Sequence, residues 1–487
     1  MTRSKHPSGL TTLFLTEMWE RMSYYGMRGI LVLFMTASIT EGGFNFDNAR
    51  ASAIYGIYAA SVYLVALPGG WIGDNILGQQ KSILLGGIII MFGHFSLAIT
   101  NINFFYLGLI LVVLGTGLLK PNISATVGEL YRNNNHLKEA GFTIFYMAIN
   151  IGSILGFFIC GYLGEQVGWH YGFGAAGLGM ALGLVQYILT QSKLGDAGLK
   201  VQNNLDIKNK MKILRVIFIS FIIITLIVVS GFLGLWSIDP VPFANAMTIV
   251  IASIALFYFS FIFFYGNLNK EEKRRVALIA VLFVGAAFFW SGFDQAGSSF
   301  NIFAKEYTDR FIFGWEYPAS WLQILNPVLV VILSPFMAYL WIYLGKKMLN
   351  PNLPFKFGLG LIFMAIGFLI ISVGAQIALS QGLASAKWLL LTYLFHTIGE
   401  LTLSPVGLSA ISSLSPKRYL GQMMGVWFLA SSLGAIIAGL ISGKATSEGV
   451  DTMPILFNQV AIISTFIGII LILISRPLSR WALEENK

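Results

Sequence analysis

Apolar stretches of roughly 20 or more residues recur from end to end of this sequence, separated by short polar segments. Each can cross a hydrocarbon core of about 30 Å as an α-helix. Membrane-barrel strands would be about 10 residues long and would alternate apolar with polar positions, and these runs do not alternate. The runs fall at 10–36, 50–73, 82–99, 103–128, 140–163 and 168–190, then 213–235 and 243–265, then 276–303, 320–344, 356–379, 388–413, 419–442 and 455–474. The expectation is an all-α polytopic membrane protein with fourteen spanning helices.

Composition excludes the soluble alternatives. Of the residues, 56% are hydrophobic and 11% charged, and the mean hydropathy is +0.75. An ordinary soluble domain carries about 25% charged residues. The net charge of +9 invites a nucleic-acid reading, but the basic residues sit in short loops between spans rather than on one soluble face, so no nucleic-acid partner is expected. With the N-terminus placed in the cytoplasm, most of the 31 Lys and Arg residues fall on the cytoplasmic side, and only Arg50, Lys305, Arg310, Lys387 and Lys444 fall outside. Both termini are therefore expected inside. The lone Cys160, in an apolar run, excludes a disulfide framework and a Cys-based metal site. The first apolar run contains charges and lacks a small-residue cleavage pattern, so it does not read as a removable signal peptide.

Six spans, a polar stretch with two charge-free spans, then six more spans suggest two related halves around a central site. The expected units are an N-terminal six-helix bundle (1–190), a cytoplasmic linker with two extra helices (191–270) and a C-terminal six-helix bundle (271–487). Pro68, Pro121, Pro327, Pro335 and Pro405 mark places where a span can bend, or ordinary packing kinks.

The first span breaks the apolar rule. Glu17, Glu20, Arg21, Tyr24, Tyr25 and Arg28 fall within an arc of roughly 140° on a helix advancing about 100° per residue. Each ionised group at mid-depth costs about 2.5–3.5 kcal/mol on the insertion scale, so these groups should line a hydrated cavity or pair. The competing reading is a solvated amphipathic segment ahead of the first span; apolar residues on both sides, 10–15 and 30–35, argue against it.

Other spans carry single polar groups. Lys120 lies deep in the fourth, where an ammonium needs a carboxylate or an anion; Glu17 and Glu20 are the expected partners. Asn150 in the fifth span suits ligand binding or helix–helix hydrogen bonding equally well. Glu400 lies four residues after His396, which puts both on one helical face, but no His-Glu-x-x-His, Gly-x-Ser-x-Gly or Cys dyad accompanies them. A metal site and an intramembrane peptidase are thereby disfavoured, no enzymatic activity is expected, and His396 reads as structural. The stretch Gly439–Lys444 is one residue short of a phosphate loop. Between the second and third spans, Gly70-Trp-Ile-Gly73-Asp74-Asn-Ile-Leu-Gly78-Gln79-Gln80-Lys81 reads as a tight loop in which Asp74 can cap a helix.

That loop resembles the one between the second and third helices of the major facilitator superfamily, with Gln79 and Gln80 where a second basic residue is usual. The runs Glu17-x-x-Glu20-Arg21-x-x-Tyr24-Tyr25, Lys120-Pro121-Asn122 and Phe145-Tyr146-x-x-Ile149-Asn150-x-Gly152 resemble the proton-dependent oligopeptide transporter family in its bacterial form. Trp290, Asp294-Gln295-x-Gly297-Ser298-Ser299, Asn326-Pro327 and Gly399-Glu400-Leu401-x-x-Ser404-Pro405 extend the resemblance through the second half. It implies the major facilitator fold with two helices inserted between its bundles, and a monomeric proton-coupled symporter of di- and tripeptides in the bacterial inner membrane, driven by the proton gradient without a cofactor or metal.

A peptide zwitterion offers one carboxylate and one ammonium, so a site for many peptides should fix those ends. Arg21 and Lys120 suit the carboxylate, and Glu400 with Asn150 and Asn326 suits the ammonium, assignments that the resemblance shares. Tyr24, Tyr25, Tyr63, Trp290 and Ser404 are expected pocket walls. Proton coupling is expected at Glu17, Glu20 and Lys120: carboxylates hold Lys120 until one is protonated. Arg28 and Asp294 resemble the family's extracellular gate pair. The alternatives are a major facilitator carrier for nitrate, a drug, a sugar or a peptide-like compound, and a passive channel, for which the sequence offers no repeated ring or filter.

Overall fold

Polar residues in the loops set many of the helix starts. Asp47 accepts the Arg50 N–H at 2.8 Å, Asn269 and Glu272 form a reciprocal capping box, and Asn352 accepts the Phe355 N–H at 3.1 Å. The computed structural model describes residues 6–132, 135–201, parts of 211–235, 237–447 and 449–483. The first bundle comprises α1 (Gly9–Thr36), α2 (Asn48–Ile72), α3 (Gln79–Leu97), α4 (Ile102–Leu130), α5 (Asn135–Tyr162) and α6 (Trp169–Thr190). Then comes α7 (Pro240–Tyr265), lying against α2 of the first bundle and the second-bundle helix at Leu420–Thr446. The second bundle comprises α8 (Lys270–Phe293), a short α9 (Ser299–Glu306), α10 (Leu325–Lys346), α11 (Leu353–Gln381), α12 (Lys387–Leu414), α13 (Leu420–Thr446) and α14 (Met453–Leu483). The expected span at 213–235 lies largely outside the described residues; those described within 211–231 are helical.

Among the described residues, eleven helices are long and apolar enough to cross a membrane. The first helix is not among them, because Glu17, Glu20, Arg21 and Arg28 crowd its middle. The bundles meet along two seams, α2 against α13 and α5 against α10 with the turn that precedes it. In the first seam Gly56 faces Gly439, and a Cβ on either would press on the other helix's backbone.

Four local details depart from the expected outline. The span 276–303 is not one continuous helix: α8 ends at Phe293, a 3₁₀ turn runs over Asp294–Gly297, and α9 restarts at Ser299. The reason is local, since Gly297 lies under the Tyr55 hydroxyl where a Cβ would not fit, and Ser298 is turned out of helical geometry (φ −127°, ψ −93°). The interrupted backbone is buried in protein and tied by side chains, with Ser298 Oγ 2.7 Å from Ser442 Oγ, as irregular backbone at membrane depth requires.

Secondly, the all-α class holds, with two short strand pairs beside the helices: β1 (Thr308–Asp309) pairs in parallel with β4 (Ala384–Ser385), and β2 (Phe311–Ile312) forms a hairpin with β3 (Trp315–Glu316). Thirdly, Asp74 caps no helix. The chain continues beyond α2 through a wide π turn, Gly73–Leu77, and Gly78 (φ +78°) redirects it into α3, while Asp74 Oδ1 accepts the Gln79 side-chain amide at 3.4 Å. Fourthly, the first bundle extends past 190. Gln80 Nε2 donates to the carbonyls of Gly195 (3.1 Å) and Ala197 (2.8 Å), and Glu129 Oε2 accepts the Gly198 N–H (2.7 Å), so the start of the linker is docked on that bundle.

Candidate functional site

The polar face of α1 meets α5, where Gly152 and Gly156 leave room for its backbone; a Cβ on Gly152 would collide with the Met18 carbonyl. This close approach buries Glu17, Glu20 and Arg21, each at most 2% exposed. Arg21 Nε lies 3.0 Å from Glu17 Oε1 and 2.5 Å from Glu20 Oε2, so one guanidinium serves two carboxylates. Lys120 does not take either acid as an ion-pair partner, contrary to the sequence expectation. Its Nζ sits 5.2 Å from the Tyr63 ring centre. The reason is spacing: Arg21 shares a helix with both acids, at i+4 from Glu17 and adjacent to Glu20, whereas Lys120 must reach across from α4.

Two turns along α1, Arg28 Nη2 lies 2.7 Å from Asp294 Oδ1, and its Nε donates to the Tyr55 hydroxyl at 2.5 Å. Asp294 sits at the α8–α9 break, so that pair joins the two bundles. Close by, the Gly29 carbonyl accepts from Asn301 Nδ2 (2.7 Å) and Gln323 Nε2 (3.4 Å), both from the second bundle.

Between the bundles lies a cavity bordered by Tyr25, Arg28, Tyr63, Asn150, Trp290, Asp294, Asn326 and Glu400. Eight sequence-predicted residues are thus brought together from α1, α2, α5, α8, the break that follows it, α10 and α12. Glu400 Oε2 accepts from Asn326 Nδ2 at 2.9 Å, and the same amide lies 3.1 Å from Thr397 Oγ1. Asn326 therefore holds Glu400 in place. Asn150 gives one amide hydrogen bond to the Tyr146 carbonyl in its own helix at 3.2 Å, so local bonding and cavity lining coexist. His396 also borders the cavity, with Nε2 3.2 Å from the Met364 carbonyl, as a structural histidine would be.

Glu17, Glu20, Arg21, Lys120, Tyr24 and Ser404 do not border this cavity. Tyr24 is buried instead, its ring stacked 6.3 Å from Tyr58 and its face 5.2 Å from the Arg21 guanidinium. Sequence reasoning missed Tyr55, which steadies Arg28, and Tyr146, Phe157, Gln323 and Tyr393, which complete the walls. Tyr55 and Tyr393 carried a signal, a phenol within an otherwise apolar span, and so did Gln323, an amide near the start of the span expected at 320–344, which the structure places in the 3₁₀ turn before α10. Among the described residues no cluster of His, Cys, Asp and Glu could hold a metal ion.

Two six-helix bundles, closed on each other at one end and enclosing a cavity with fixed charges on both sides, define a carrier of the major facilitator class. A family model described as POT family matches residues 80–472, and by that match the chain belongs to the POT family. It is 40% identical over 485 residues to the peptide transporter YePEPT of Yersinia enterocolitica, covering 98% of this chain and 95% of that one. It is 36% identical over 486 residues to a di-/tripeptide transporter of Lactococcus lactis subsp. cremoris, covering 97% and 96%. A crystal structure of a peptide transporter POT in complex with sulfate superposes with a TM-score of 0.92 at 36% identity, over 99% of this chain and 97% of the other.

Proposed function

We propose that this protein imports di- and tripeptides together with protons by alternating access across the bacterial inner membrane. The observation that carries the reading is the cavity between the bundles, where Glu400, steadied by Asn326, faces aromatic walls contributed by both halves. A carboxylate there suits a peptide ammonium and would repel nitrate. Tyr25, Tyr63 and Trp290 present rings with polar edges, which accept varied side chains. The named functions of the relatives support the same substrate class.

The basic loops at the end carrying both termini support a cytoplasmic placement of that end. Among the described residues, the hydrogen bonds between the bundles then run from the outer ends, at Asn48 with Thr446 and Arg28 with Asp294, to mid-helix, at Ser432 with Ala60. This conformation is closed outside, with Arg28–Asp294 as a gate that must part when the site faces the medium.

Proton coupling enters at Glu17, Glu20 and Arg21. Two ionised carboxylates around one guanidinium leave a net negative charge that one proton neutralises. With that proton in place Arg21 keeps one carboxylate, and its Nη2, buried without a hydrogen-bond partner one turn before Tyr25, is freed to turn toward a peptide carboxylate in the cavity that Tyr25 borders. Lys120 adds a second positive charge nearby. The cargoes are thereby linked through Arg21 rather than through release of Lys120. The reading needs no cofactor, since the proton gradient supplies the energy.

The test is uptake of labelled di-alanine into proteoliposomes with an imposed pH gradient, competed in turn by tri-alanine, alanine and nitrate. Competition by tri-alanine alone is expected. Competition by nitrate instead would overturn the substrate assignment.

A further inference from the structure

The outer seam holds a second polar contact, in which a buried carboxylate is held chiefly by backbone N–H groups. After α5 the chain runs through a π turn, Leu163–Val167, which brings Glu165 against the 3₁₀ turn Ala319–Ile324 that leads into α10. Glu165 Oε2 accepts the Ala319 N–H at 2.9 Å and Oε1 accepts the Ser320 N–H at 2.9 Å. The Glu165 side chain is 1% exposed, and the nearest cation, Lys305 Nζ, is 4.0 Å away and 43% exposed. The carboxylate of one bundle thus occupies the helix start of the other, where the first N–H groups have no partner in their own helix.

The contacts around it are shaped to the same fit. Gly161 leaves space for Ser320, whose hydroxyl would collide with a Cβ there. Trp321 stacks on Phe158 at 4.7 Å and donates its indole N–H to the Phe158 carbonyl at 3.0 Å, while Gln166 Nε2 reaches the Glu316 carbonyl at 3.1 Å.

We propose that Glu165 and the helix start at Ala319–Ser320 form a second outer latch, made only while the outer face is closed. Opening that face draws the end of α5 away from Ala319, because the α5–α10 seam is one of the two along which the bundles meet. Two charge-assisted hydrogen bonds then pass to water together, so the latch biases the carrier toward the outward-closed state. It differs from Arg28–Asp294 in kind. The acceptor is charged and the donors are backbone, so the contact cannot be rebuilt by exchanging two side chains.

This inference rests on the alternating-access reading above, and its test separates the two. Spin labels are placed at exposed Ile39 and Leu383, one in each bundle on the outer face, and their distance distribution is measured in liposomes. Three variants are compared with the parent: Glu165→Gln, Ala319→Pro and Asp294→Asn. Proline at 319 follows Pro318, whose extended backbone (ψ 135°) tolerates a following proline, and it removes the N–H at the first helical position, where proline is otherwise accepted. The latch predicts that Glu165→Gln and Ala319→Pro each raise the ratio of long to short distances roughly tenfold, as loss of a charged hydrogen bond should. Lengthening in Asp294→Asn alone would overturn the latch and leave the gate standing. Unchanged distances in all three would overturn both.

Discussion

Glu400 is the residue on which substrate recognition turns, because it faces the cavity with Asn326 as its hydrogen-bond partner and, among the described residues, no cation within ion-pair distance. Glu400→Gln keeps the shape and the Asn326 contact but removes the charge offered to a peptide ammonium. The expected result is a rise of about tenfold or more in KM for di-alanine uptake, with protein yield and thermal midpoint unchanged, since one charged hydrogen bond is worth about 1.5–3 kcal/mol. Retention of the parent KM would remove Glu400 from the ammonium site. At this scale the sequence was informative wherever a charge interrupts an apolar helix, because such a charge must be paired or hydrated. It was silent on who pairs with whom. Lys120 was assigned the acids that Arg21 takes, a choice decided by residue spacing along α1 rather than by composition. Glu165 falls in the short segment between the spans 140–163 and 168–190, and only the placement of α10 against α5 reveals its partners.

At the scale of elements, α1 carries the buried charges, and glycine sets its separation from α5. Gly152→Val would place a branched side chain against the Met18 carbonyl and the Arg21 stem. Overpacking of this kind costs about 1–3 kcal/mol, so the purified variant should unfold several degrees lower in detergent and lose di-alanine uptake as α1 shifts. An unchanged midpoint would show that the α1–α5 contact gives way freely. Most helices were legible from apolar length alone, and their observed starts extend several residues into polar caps, as at Asn269–Glu272. The α8–α9 break was not legible as a break. The residues 294–299 read as polar positions on a continuous span, and what interrupts the helix is Tyr55 from α2, pressed against Gly297. Such a cause lies in tertiary contact, beyond the reach of periodicity.

At the scale of the whole molecule, the two-bundle plan was legible because spans are counted by length and oriented by loop charge. The state was not, since the same sequence must adopt both an outward-closed and an outward-open form, and only contacts such as Arg28–Asp294 say which is present. Protons and peptide are coupled, on the proposed mechanism, through the buried Glu17–Arg21–Glu20 group. The measurement that bears on it most directly compares Glu20→Gln with the parent in proteoliposomes, following labelled di-alanine both under a pH gradient, acid outside, and in exchange with unlabelled peptide at equal pH. The parent is expected to accumulate peptide only while the gradient lasts, and Glu20→Gln to exchange still but no longer accumulate. Accumulation by Glu20→Gln to the parent level would contradict it.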